Sequence, residues 1–272
     1  MAARMNRAAV LAIAGRDLRV VARSRAVLVP LVIVPMLLLL TPPLTLVVTA
    51  SAPDVLAAEL APLLAPLPAE MSDGLPSEPA RAAAVLLLVY VFAPLYLLVP
   101  VMVASITAAD SVVGERERQT LEGLLHSPTT DRELLIGKLL TPWSVAVIAA
   151  VLGAVAYGAV ANMVLAQHGL PASFPNVQWI VLTVWVSPAA AAFGTGLILV
   201  LSNRLKTFQE ATQVAGVVVL PIVGLVVAQA AGVVLFDVVL LALVGSLLWL
   251  LTLLLLNMAG RSFTRDRLLT RD

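Results

Sequence analysis

The stretch "VVGERERQTLEGLLHSPTTDRELLIGK", Val112 to Lys138, decides how the chain is read. Nine charges fall between Glu115 and Lys138, in a chain of 272 residues that is 61% hydrophobic and only 12% charged. A soluble domain mixes roughly half apolar with about one quarter charged residues. A mean hydropathy of +1.02 instead belongs to a chain whose solvent is lipid. At about 2.5–3.5 kcal/mol per charge at mid-bilayer, burying this stretch in hydrocarbon would cost on the order of 20–30 kcal/mol. The stretch therefore stays in water, and the apolar sequence on either side of it crosses the membrane.

Working outward, about 20 helical residues span the roughly 30 Å hydrocarbon core. Six runs are long enough: about Val27–Thr49, Ala82–Ala109, Leu139–Ala166, Val177–Leu201, Thr212–Val234 and Val238–Asn257. An even number puts both termini on one side, and the basic residues give the same parity, because cytoplasmic segments accumulate Lys and Arg. Of 17 such residues, only Arg81 falls on the outer side. The others lie in the amino-terminal tail (1–26), the charged segment (110–138), the loop after the fourth span and the carboxy-terminal tail. The expected fold is an all-α integral membrane protein with six transmembrane helices and both termini cytoplasmic.

A cleaved signal peptide is a competing reading of the start, since "ASA" at Ala50 to Ala52 has the form of a cleavage site. The apolar run before it exceeds the roughly 7–15 residues of a signal-peptide core, so an uncleaved first span is expected. The outer loop, residues 51–81, holds six prolines and five acids. Prolines so dense preclude a long regular helix, which leaves a small cap of broken helices or a solvated linker. Prolines within or near the spans, such as Pro142 and Pro221, are expected to kink helices and shape the bundle. Gly224, Ala228 and Gly232 give one face of the fifth span the small-residue spacing that lets helices approach closely.

Between Glu115 and Leu125, helical geometry gathers Leu121, Leu124 and Leu125 on one side and Glu115, Gln119 and Glu122 on the other. Pro128 ends that helix. Thr130 and Glu133 then have the spacing of a capping box opening the third span. The amino terminus follows similar lines: Leu11, Ala14, Leu18 and Val21 share one face and Arg16, Arg19 and Arg23 the opposite one. That pattern suits an interfacial helix with arginines toward anionic headgroups, and equally a basic tail that only fixes orientation.

These residues carry a resemblance. The run "GERERQTLEGLL", the Ser-Pro at Ser127 and Pro128, and the later Gly137-Lys138 resemble the cytoplasmic segment between spans 2 and 3 in permease subunits of type 2 ATP-binding-cassette (ABC) exporters. "FQEATQ" (Phe208 to Gln213) is similar to the family's entry to span 5, and "FTRDRLL" (Phe263 to Leu269) to its closing segment. The resemblance extends over nearly the whole chain and implies one exporter permease domain, 1–272, forming half of a pore. A second permease copy, identical or paralogous, would complete the pathway in the lipid bilayer of the plasma membrane, and a separate ATPase subunit carrying ATP and Mg would dock beneath. Glu115, Arg116, Glu117, Arg118 and Glu122 would then form a cytoplasmic coupling helix, with Arg204, Lys206 and Glu210 as a lesser contact. Relatives with an outer re-entrant hairpin place it between spans 5 and 6. Here only residues around Val234 to Asp237 separate those spans, so either the hairpin is minimal or the 51–81 loop builds the outer gate.

The chain is not expected to hydrolyse ATP. A phosphate-binding P-loop needs G-x-x-x-x-G-K-[ST], whereas Leu139 follows Gly137-Lys138 and Arg132 stands where the first glycine belongs. With no cysteine and two distant histidines, His126 and His168, thiolate metal and disulfide chemistry are excluded. No span carries an acid or histidine near its centre, as intramembrane proteases and ion-driven carriers require. No cofactor bound by this chain and no nucleic-acid partner are expected. A non-transporting membrane scaffold that recruits a cytoplasmic partner through the same helix is the alternative function. Few polar residues lie in the spans; Tyr90, Tyr96, Asn162, Gln213 and Gln229 are the candidates to line a pathway. A mainly apolar lining suits hydrophobic or amphipathic cargo better than a hydrated ion.

Overall fold

The computed structural model describes residues 7–23, 33, 36–37, 39–41, 43–44, 76, 78–118, 130–202, 204–230 and 237–262. Among these the chain is helical, with no strand. α1 is Arg7–Arg23. Five further helices are long and apolar enough to cross a membrane: α2 (Leu86–Glu117), α3 (Asp131–Gln167), α4 (Val177–Leu201), α5 (Phe208–Ala230) and α6 (Val238–Ser262). They correspond to the second to sixth expected spans. Most of the first span, nearly all of the 51–81 loop, Glu122 and the closing segment lie outside the described residues.

α2 is the axis of the bundle: 72% of its membrane window is buried, against 17% for α5 and for α6. α3 and α4 pack along it, α6 packs on α4, α5 leans on α2 and α4, and α1 lies along α3. Leu39 of the first expected span is 2% exposed and joins the central core. Exposed apolar residues such as Val155, Leu220 and Leu243 point away from that core. They form the outer face of the described bundle.

α2 departs from the expected boundary. The apolar run of the second span ends at Ala109, but the helix continues through a wide π turn at Asp110–Gly114 to Glu117. The described start of the charged segment is thus continuous with the membrane helix, because Asp110, Ser111, Val112, Val113, Gly114 and Glu115 are all buried. α3 also starts early, at Asp131. It opens with the expected capping box, since the Thr130 hydroxyl accepts from Glu133 N at 3.3 Å and Glu133 Oε2 accepts from Thr130 N at 2.8 Å. Two otherwise orphaned N–H groups are thereby satisfied.

A second π turn, Leu86–Val91, lies in the outer half of α2. Aromatic side chains take its carbonyls: Tyr157 Oη donates to Leu88 O at 2.7 Å and Trp179 Nε1 to Val89 O at 2.9 Å. The rings of Tyr157 and Trp179 stack at 4.6 Å, and Phe174 and Tyr96 meet Trp179 at 5.1 and 5.4 Å. Four aromatic residues therefore rivet α2, α3, α4 and the α3–α4 loop together.

That loop is fixed at its start by Gly169. Leu170 N donates to Leu165 O and Gly169 N to Ala166 O, both at 3.0 Å, which closes α3 as a Schellman motif. The motif requires a left-handed residue, and Gly169 has φ +68°. A side chain there meets the following carbonyl. Gly169→Ala is expected to cost about 1 kcal/mol, read as a lowered melting temperature of the detergent-solubilised protein; an unchanged melt would mean that the turn has another way to close.

Candidate functional site

Three segments that the basic-residue bias assigns to the cytoplasm meet at one end of the bundle: α1, the end of α2 with the start of α3, and the α4–α5 loop. At the centre stands Lys138, on the second turn of α3 and 0% exposed. Its Nζ donates to Glu115 Oε2 at 2.6 Å. Asp17 Oδ2 of α1 lies 2.9 Å from the same Nζ, an ion pair without the alignment of a hydrogen bond. Arg16, at 40% exposure, places one guanidinium nitrogen 3.4 Å from Asp17 and 3.5 Å from Glu115. Two acids and two cations balance, as burial demands.

The local sequence builds this junction. Val10, Ile13 and Asp17 form the buried stripe of α1, while Leu11 and Leu18 are exposed. The faces therefore divide differently from the expected pattern: Leu11 and Leu18 look outward, toward lipid in this reading, and the helix seats on α3 by the stripe beside them. Gly137 permits the seat, since a Cβ there would come within 2.8 Å of Ile13 Cγ2. Thr141 Oγ1 adds a bond to Ala14 O at 3.2 Å. Gly137→Leu is expected to lift α1 from α3, seen as faster proteolysis of the amino-terminal helix while the rest of the bundle stays folded. Equal protease resistance would mean that Ile13 can give way.

The rest of the "ERER" run reaches across to α4 and α5. Arg116 donates to the carbonyls of Ser202 and, at 2.7 Å, Leu205, just beyond the last turn of α4. There a cation also offsets the negative helix end. Glu117 Oε2 accepts from Phe208 N at 2.8 Å, covering an orphan donor at the positive end of α5. Arg118 turns back to Asp110 at 2.7 Å. Glu210 accepts from Lys206 N at 2.7 Å and Thr207 Oγ1 accepts from Glu210 N at 3.1 Å, closing the α5 amino terminus on itself.

The expected coupling residues thus divide. Glu115 is buried and committed to Lys138, and Arg116 is half-buried and spent on the α4–α5 loop. Glu117, Arg118, Arg204, Lys206 and Glu210 are exposed and lie on adjoining segments. Glu122 lies outside the described residues. Among the expected lining residues, Tyr96 is buried with its hydroxyl donating to Ala150 O at 2.8 Å. Asn162 donates to Phe174 O and accepts from Ser173 N and Phe174 N, all within 3.1 Å, so it staples the α3–α4 loop. Tyr90 is half-buried and Gln213 is exposed; Gln229 falls on α5, its side chain outside the described residues. Polarity alone could not separate packing from lining.

Asp17 and Lys138 were not singled out from the sequence as site residues. One signal was present: Asp17 is the sole acid in the first 53 residues, set among six arginines. Among the described residues, no cluster of His, Cys, Asp or Glu has the grouping of a metal site. Above the charged end, α2, α4, α5 and α6 enclose an apolar cleft of about 630 Å³, lined by Val101, Phe193, Val217, Ile222 and Leu248 among others.

Five apolar helices joined to a charged, internally bonded end define a multi-pass membrane protein. The sequence profile described as ABC-2 family transporter protein matches residues 11–257. The chain belongs to that family and is a membrane transport permease. A search of curated proteins found no match.

Proposed function

We propose that the chain is the membrane-spanning permease of an ATP-driven exporter, working as a dimer with a second copy or a paralogue in the plasma membrane. A separate ATPase subunit, binding ATP and Mg, docks on the surface of Glu117, Arg118, Arg204, Lys206 and Glu210, with Glu122 continuing it. The observation that carries this reading is the bonding of Arg116 and Glu117 to the α4–α5 loop and the start of α5. A push on the exposed residues reaches α2, α4 and α5 together, while Glu115 and Lys138 pass it to α3 and α1. Glu115 and Arg116 serve on the inner side of the coupling segment, carrying force rather than touching the partner. Membership of the ABC-2 family supports an ABC ATPase as the partner and outward transport as the direction. The apolar cleft supports hydrophobic or amphipathic cargo, with Tyr90, Gln213 and Gln229 as polar points along the route.

The test is to tag the chain, extract it gently from its native membrane and identify stoichiometric partners by mass spectrometry. Recovery of a P-loop ATPase at about one copy per permease is expected of a two-plus-two assembly. A homogeneous complex lacking any ATPase would replace the exporter with a scaffold. In the same assay, Arg204→Glu with Lys206→Glu is expected to lower ATPase recovery about tenfold, because rim charges of the wrong sign slow docking. Undiminished recovery would move the contact off the α4–α5 loop.

A further inference from the structure

The charge cluster has a connectivity that a simple weld between helices would not need. Asp17 and Glu115 each lie within 3.5 Å of both cations, Lys138 and Arg16. All four possible acid–cation pairs are present at once. The four groups come from three helices: Arg16 and Asp17 from α1, Glu115 from the end of α2, Lys138 from α3. Breaking a lone buried pair strands a charge and is strongly opposed. In this ring any single pair can lengthen while every charge keeps a partner. The geometry is uneven as well: Lys138 is hydrogen-bonded to Glu115, whereas its contact with Asp17 lacks that alignment. The α2–α3 side is therefore the firm one and the α1 side the slack one.

We propose that this ring is a sliding joint, and that Lys138 is the positioning residue through which motion of the coupling segment is passed to α1. The proposal rests on the permease reading above. As α2 and α3 shift under the ATPase, Lys138 moves with Glu115. Asp17 is handed from Lys138 toward Arg16, the half-exposed cation on its own helix, so α1 can slide along α3 without baring a charge to the apolar interior. The exposed Leu11 and Leu18 then carry that displacement into the lipid interface. A static weld would use Arg16 only to balance the second acid, whether or not α1 moves; a joint needs it to receive Asp17 as α1 slides.

The chain lacks cysteine, so spin labels can be placed uniquely, at Arg19→Cys on α1 and Gln209→Cys on α5. The labelled permease is purified with its ATPase in lipid nanodiscs, and the label-to-label distance is measured by pulsed electron resonance with and without a non-hydrolysable ATP analogue. The Arg16→Gln and Arg16→Lys variants are carried through the same measurement. Arg16 is part-exposed and its removal leaves both Lys138 pairs in place; folding of each variant is checked by its size-exclusion profile. The expected result is a nucleotide-dependent shift in the labelled protein that is lost in Arg16→Gln and restored in Arg16→Lys, with the ATPase retained throughout. A shift of equal size in Arg16→Gln overturns the joint, as does a labelled protein whose α1 stays still while its ATPase binds nucleotide. Absence of an ATPase from the purified labelled protein overturns the permease reading and the joint with it, and is distinguished by that absence.

Discussion

Lys138→Met yields little folded permease: its removal is expected to cost about 3–5 kcal/mol, the range for deleting one partner of a buried ion pair. The lysine is fully buried and its ammonium serves two acids. Methionine matches the side chain in length and removes the buried cation that Asp17 and Glu115, both under a tenth exposed, share. The control is Asp17→Asn, Glu115→Gln and Lys138→Met combined. The three buried charges of the ring are then gone, and Arg16, already 40% exposed, can turn to water. Neutral replacement of a whole buried ionic set is often tolerated, so the triple variant is expected to recover most of the lost folded yield on size-exclusion chromatography. A single variant as stable as the parent would mean that water reaches the junction; a triple variant as poor as the single one would put the defect in packing.

The second large effect is at the other end of the bundle. Trp179→Ala is expected to cost about 3–5 kcal/mol, as for other buried large aromatics, and to loosen α4 from α2 and α3. Trp179 is 3% exposed, stacks on Tyr157, meets Phe174 and Tyr96, and donates to Val89 O in the π turn of α2. Its loss removes three ring contacts and leaves a carbonyl without its side-chain donor. Trp179→Phe retains most of the stack and loses the donor, so it should cost only about 1–3 kcal/mol. Melting of the two variants in detergent gives the comparison. If both lose the same amount, the stability lies in the Val89 bond rather than in the rings.

Much of this architecture was legible because lipid imposes a simple rule. Runs of about 20 apolar residues have to cross, and the described helices coincide with five of the expected six runs. The Thr130 and Glu133 capping box was also readable, since its chemistry is local and its spacing fixed. Boundaries were less so. α2 runs on to Glu117 because the charges at its end are satisfied by groups far along the chain, such as Phe208 N and the carbonyl of Leu205. The site shows the same divide. "GERER" announced itself by composition, but composition cannot say which charges face outward. Lys138 sits in "LLIGKLL", where a lone lysine reads as the flank of a span. Its meaning comes from Asp17, brought to it by the packing of α1 on α3. Tyr96 and Asn162 were candidates for lining for the same reason in reverse: their hydrogen-bond partners, Ala150 O and the backbone of Ser173 and Phe174, are visible only once the helices are assembled.

The seat of α1 on α3 also fixes an order of events in biogenesis. Thr141 and its acceptor at Ala14 are 127 residues apart, and Lys138 is made almost as long after Asp17. When α1 leaves the site of synthesis, its buried stripe has no surface to bury against and its acid has only Arg16, on the same helix, as a counter-ion. The cost of placing a carboxylate in hydrocarbon favours the water boundary for α1 until Lys138 arrives with α3. The seat of α1 is therefore completed only on the arrival of α3, long after α1 itself has been made.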